Sequence, residues 1–110
     1  MTDLIDELQT KNAQLEQALR TLRKNGVAFA EAEKNYKEAV SKEALRLRDE
    51  GMAVTLIDKV IYGLPSISVL RYQRDCAEVV YQANQEALNV AKLQIRLIES
   101  QLAREWGNTK

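Results

Sequence analysis

The sequence predicts an all-α protein, a long antiparallel helical hairpin with coiled-coil-like seams and a short helix in the connector, assembling into a helical bundle. Three observations predict it. The first is a heptad series in the first half: Ile5, Leu8, Asn12, Leu15, Leu19, Leu22, Gly26, Phe29, Glu33, Tyr36, Val40, Glu43, Leu47. Its steps alternate three and four without a miss, as a helical seam requires. The second is a like series in the last third, from Leu70, Arg74, Ala77, Tyr81 and Asn84 through Leu88, Ala91, Ile95, Ile98, Leu102 and Glu105. The third is scarcity of breakers: four glycines and one proline in 110 residues, in a chain rich in Ala, Leu, Glu, Gln, Lys and Arg.

The first helix is expected from about residue 3 to residue 50. Thr2 or Asp3 can cap its start, and Asp6 and Glu7 suit the positive end of the helix dipole. Asn25–Gly26 also reads as a turn, but the heptad phase is unchanged across it. Continuity is therefore expected, at a cost of about 1 kcal/mol for a glycine in a helix interior. Gly51 is a natural C-terminal cap, with Arg46 and Arg48 in the last turn.

The connector is residues 51–65, with a short helix over about 56–62. Thr55 is its expected cap, with Asp58 in the capping-box position. Pro65 forces Leu64 to be extended and opens the next helix. The connector is unusually apolar. Leu56, Ile57, Val60, Ile61, Tyr62 and Leu64 either fold over the hairpin tip as a cap, the reading the length of the loop favours, or present a partner interface.

The last helix is expected over about residues 66–106. Beside its seam runs a second apolar stripe, Val69, Cys76, Val80, Ala83, Ala87, Val90 and Leu97. A single hairpin partner leaves much of that stripe wet, and large exposed apolar patches mark interfaces. Self-association through this helix is expected, a dimer forming a four-helix bundle being the simplest form. The competing reading is that the connector folds back over the stripe.

Facing the two seams antiparallel sets a register. Leu22 against Ile95, Phe29 against Leu88, Tyr36 against Tyr81 and Leu47 against Leu70 give apolar layers, and Gly26 meets Ala91. Sliding one heptad one way puts Asn12 on Ile98 and Glu33 on Ala77. The other way puts Leu19 on Glu105 and Val40 on Asn84. A buried polar group without a partner costs roughly 1–3 kcal/mol, so the first register is expected.

At 110 residues a single domain, 1–110, is expected. Sixteen basic and sixteen acidic side chains cancel, which argues against a dominant polyanion-binding role. The chain has one cysteine and no histidine. A disulfide within the chain is excluded, a zinc site is not expected, and the usual base for a serine or cysteine nucleophile is missing. No glycine-rich phosphate loop is present. Cys76, in the apolar stripe, reads as a buried structural thiol. The expectation is a protein that is not an enzyme and takes no cofactor or metal. No apolar run approaches the ~20 residues that span a bilayer and no signal peptide is visible, so no membrane association and a cytoplasmic setting are expected.

The best polar candidate is the hairpin tip, where Arg46, Arg48, Arg71 and Arg74 gather with Tyr62 and Tyr72. Arginine with tyrosine suits phosphate contacts and base stacking. The competing reading is a structural salt-bridge network with Glu43, Asp49, Glu50, Asp58 and Asp75, including an i,i+4 pair of Arg71 and Asp75.

The stretch from Ala30-Glu31-Ala32-Glu33 to Tyr36, then Leu45 through Met52 and Val54 through Val60, with the ending Ile98-Glu99-Ser100-Gln101 and Arg104-Glu105-Trp106, resembles small uncharacterised helical proteins of bacteriophages and prophages. The resemblance covers most of the chain after residue 30 and brings no functional motif. It implies a bacterial host cytoplasm, and either a protein that binds or inhibits a host protein or an accessory of phage DNA replication or recombination. The function expected is that of a non-enzymatic helical interaction or assembly protein with an unidentified protein partner. The alternative is a nucleic-acid-associated accessory protein using the tip arginines.

Overall fold

A computed structural model describes Thr2–Thr109. The chain is all-α: α1 (Thr2–Asp49), α2 (Val54–Val60), a 3-10 turn (Ile61–Gly63) and α3 (Pro65–Thr109). Helices α1 and α3 pack antiparallel through the short connector, the helical hairpin that the two seams predict. No strand occurs among the described residues. Helix α1 runs unbroken through Asn25–Gly26, so the unchanged heptad phase outweighed the turn signal.

Helix α1 ends in a Schellman motif. Gly51 takes the left-handed conformation at φ 92°. Its N–H donates to the Arg48 carbonyl at 2.9 Å, and the Met52 N–H reaches back to the Leu47 carbonyl at 3.0 Å. Met52 packs on the buried cluster that contains Leu47.

Helix α2 begins earlier than the capping box predicts. Ala53, in extended conformation, holds the cap position with no side-chain hydrogen bond. Thr55 therefore lies inside the first turn. Leu64 is extended, and its carbonyl accepts from the Ile67 and Ser68 N–H groups at 3.0 and 2.8 Å. Pro65 sits at the first helical position of α3, where it has no N–H to lose.

The contacts fall into two compact units: Asn25–Tyr81, and Met1–Lys24 with Gln82–Lys110. The first contains a closed core of Tyr36, Leu47, Ile57, Ile61 and Ile67, with Val40, Met52, Val60, Leu64 and Leu70 packed on it. Ile67 is wholly inaccessible to solvent. In the second unit the buried side chains are Leu88, Ile95 and Ile98.

The register is one heptad from the expected one. In the Asn25–Tyr81 unit the Phe29 and Tyr81 rings lie 6.1 Å apart between centroids, and the Arg74 guanidinium stacks on Tyr36 at 4.7 Å. Gly26 faces the Tyr81 ring. In the other unit Leu22 shares a groove with Leu88. Tyr36 is thus opposite Arg74, not Tyr81.

The polar mismatches that disfavoured this register are relieved by a shift in the buried stripe of α1 near its start and by the exposure of the Glu33 carboxylate. Leu4, Lys11, Ala18, Asn25, Ala32 and Ala39 are partly buried, while Asn12 is exposed and Leu19 lies at the exposed edge. Asn12 therefore never enters the seam. Glu33 keeps its carboxylate in solvent, 3.4 Å from the Lys37 ammonium. Among the described residues no buried side-chain nitrogen or oxygen lacks a hydrogen-bond partner, so the penalty that argued against this register is not incurred.

Candidate interaction surface

Two of the four tip arginines, Arg46 and Arg74, are engaged by carboxylates. Arg46 donates to Glu43 at 2.7 and 2.9 Å and to Glu50 at 2.8 Å. The hydrogen bond to Glu43, then that to Glu50, raises the guanidinium pKa above its ordinary value. Arg74 donates twice to Asp75 Oδ1, at 2.7 and 3.1 Å, which raises its pKa likewise. The i,i+4 pairing of Arg71 with Asp75 is replaced. Asp75 is held by its neighbour Arg74, and Arg71 lies over the Tyr62 ring at 6.0 Å. Arg48 is exposed. The salt-bridge reading of this region describes Arg46 and Arg74.

The connector is a cap, and the partner interface drawn on it changes. Ile57 and Ile61 are buried in the core, 5% and 2% accessible, and cannot meet a partner. Val60 and Leu64 are partly buried against that core. Leu56 and Tyr62 remain exposed. The cause is the i,i+4 spacing of Ile57 and Ile61 across α2 and the 3-10 turn, which aims both side chains at Leu47 and Ile67.

The large apolar surface lies on α3, on the side turned away from its seam. The seam residues Leu70, Arg74, Ala77, Tyr81, Asn84, Leu88, Ala91, Ile95, Ile98, Leu102 and Glu105 are all buried or partly buried. The predicted second stripe is not covered by the connector. In the Asn25–Tyr81 unit Val69, Cys76 and Val80 are exposed, and in the other unit so are Ala83, Ala87, Val90 and Leu97. Cys76 is therefore an exposed thiol, not the buried structural one expected. Tyr72 lies one turn earlier on the same face, and the nearby Cys76 side chain raises the tyrosine pKa above its ordinary value.

Three residues of this face were missed: Tyr72, Val79 and Leu93, which are 71%, 64% and 53% exposed. Tyr72, Asp75, Cys76, Val79 and Val80 line an open apolar depression of about 350 Å³. The signal was present. Val69, Tyr72, Cys76, Val79, Ala83, Glu86, Val90, Leu93 and Leu97 form a second unbroken three-four series.

Among the described residues no group of three His, Cys, Asp or Glu side chains could hold a metal ion, and no helix is long and apolar enough to cross a membrane. No protein-family model matches the chain, and no match was found among curated proteins or solved structures.

Proposed function

We propose that this chain is a non-enzymatic helical assembly protein that associates with copies of itself through the exposed face of α3. One observation carries the proposal. Val69, Val79, Val90, Leu93 and Leu97 are each more than half exposed although they recur at seam spacing. Burying each such side chain in a partner is worth up to ~1.5–3 kcal/mol relative to water, and apolar faces of this kind mark interaction sites. In the bacterial cytoplasm implied by the resemblance, such an assembly would act by holding or blocking another protein.

The nucleic-acid alternative draws less support, because Arg46 and Arg74 already pair with carboxylates. Size-exclusion chromatography with light scattering tests both, alone and with single- and double-stranded DNA. The expected result is an oligomer whose mass ignores DNA and falls on Leu93→Asp or Val79→Asp. A chain that stays at 12.5 kDa at all concentrations would refute self-association. A salt-sensitive shift with DNA, lost in Arg48→Ala and Arg71→Ala, would establish the alternative.

A further inference from the structure

We infer that the partner of the α3 face is a second copy of the same helix, run antiparallel, with Cys76 facing Leu93 of the partner copy. The inference rests on self-association through α3, and adds its geometry.

The two halves of the face complement each other. The half in the Asn25–Tyr81 unit carries Tyr72, Cys76 and Val79, with Val80 on one flank and Asp75 on the other. The half in the second unit carries Val90, Leu93 and Leu97, with Ala87 and Arg96 on the corresponding flanks. An isologous interface needs such a match, because each half of one copy meets the other half of its twin. In one antiparallel register the apolar layers between Tyr72 and Leu97 are all matched, and Val69, at the end of the series, meets Ser100. Tyr72 meets Leu97, Cys76 meets Leu93, and Val79 meets Val90. On the flanks Val80 meets Ala87, Gln82 meets Asn89, and Asp75 meets Arg96. All six flanking residues are exposed. Arg74 uses only Oδ1 of Asp75, so Oδ2 is placed to accept from the partner's guanidinium.

Glu86 decides between orientations. It is the one charged residue in the series. In a parallel pair it stacks directly on its own copy, and Asp75 falls beside Val80 with no cation opposite. In the antiparallel register Glu86 faces Ala83 of the partner, whose small side chain leaves the carboxylate a path to water. Sliding by one heptad either way puts Glu86 against Cys76 or Val90 and removes the Asp75–Arg96 match. The arrangement therefore selects one orientation and one register.

The natural thiol makes the test simple. In the antiparallel register the two Cys76 residues lie ~25 Å apart along the helix axis, beyond the roughly 7 Å reach of a disulfide between Cα atoms. The first arm oxidises the full chain with copper phenanthroline and reads non-reducing gels. Leu93→Cys, with Cys76 retained, is expected to give a covalent dimer. The natural chain and Leu93→Cys/Cys76→Ser are expected to give none. Each substitution lies on an exposed position, so the protomer keeps its fold. The second arm reads dimer dissociation by sedimentation. Asp75→Arg and Arg96→Asp are each expected to weaken the dimer about tenfold, since each turns two exposed pairs into repulsions, and the double exchange to restore it.

A dimer in which the natural chain itself forms the disulfide is parallel and overturns this inference while leaving self-association standing. So does a dimer that neither cross-links through Leu93→Cys nor recovers in the double exchange. A monomer at every concentration overturns both proposals.

Discussion

Replacing Gly26 by alanine tests the helix and the register together. In an isolated helix the change is stabilising by about 1 kcal/mol, because glycine loses more backbone freedom on folding. Here a Cβ on residue 26 would stand 3.0 Å from Tyr81 Cε2 and 3.6 Å from Cδ2. The ring must move by several tenths of an ångström, and it leans on Phe29 at 6.1 Å. Overpacking of that kind costs roughly 1–3 kcal/mol. The net expectation is a loss of about 1 kcal/mol. Removing the ring reverses the sign: in a Tyr81→Ala background Gly26→Ala should stabilise by about 1 kcal/mol, its propensity gain alone. The coupling between the positions is then about 2 kcal/mol, within the range for residues in contact. Urea unfolding followed by circular dichroism at 222 nm measures all four chains. If Gly26→Ala stabilises the natural chain as much as it stabilises Tyr81→Ala, Gly26 does not face Tyr81 and the register is wrong.

Three further outcomes follow from the packing. Ile67→Ala, at the fully buried centre of the connector core, should cost about 3–5 kcal/mol, read from the same urea transitions; a loss under 1 kcal/mol would mean that this core is not closed. Gly51→Ala should cost about 1–2 kcal/mol through the left-handed backbone alone, since no atom lies within 4 Å of the added methyl at φ 92°; a thermal melt checks it, and an unchanged Tm would contradict the Schellman cap. Arg46→Ala should lower Tm by a few degrees at most, and by less in high salt, because its partners Glu43 and Glu50 are solvent-accessible; a large, salt-independent loss would contradict a surface network.

The α3 seam was fully legible in the sequence. Each residue from Leu70 to Glu105 at three-four spacing is at least partly buried, because periodicity alone selects a helix face. The register was not legible. It turned on whether Asn12 and Glu33 are buried, and periodicity does not show that Lys11 and Ala18 take the places of Asn12 and Leu19 in the buried stripe, or that the Glu33 carboxylate stays in solvent. Nor was the role of Arg74 visible: its place in the seam does not reveal that its guanidinium lies over the Tyr36 ring and pairs with its own neighbour Asp75. The second face of α3 was found but drawn too narrowly. Following only the positions next to the seam left out Tyr72, Val79 and Leu93, which complete the series on the far side. In the connector, the length of the loop favoured a cap, yet composition could not tell Ile57 and Ile61, turned inward, from Leu56 and Tyr62, turned outward.

The connector core has a kinetic consequence. Leu47, Ile57, Ile61 and Ile67 meet across short loops of sequence, so their contacts cost little closure entropy and form early. Pairs such as Leu22 with Leu88 are separated by a much longer stretch, and pay for it only once that first knot has tied the helices together. Folding should start at the connector and spread along both helices, as a zip closes from its stop. Mutations in the knot should slow folding, whereas mutations of Ile95 or Ile98 should mainly hasten unfolding.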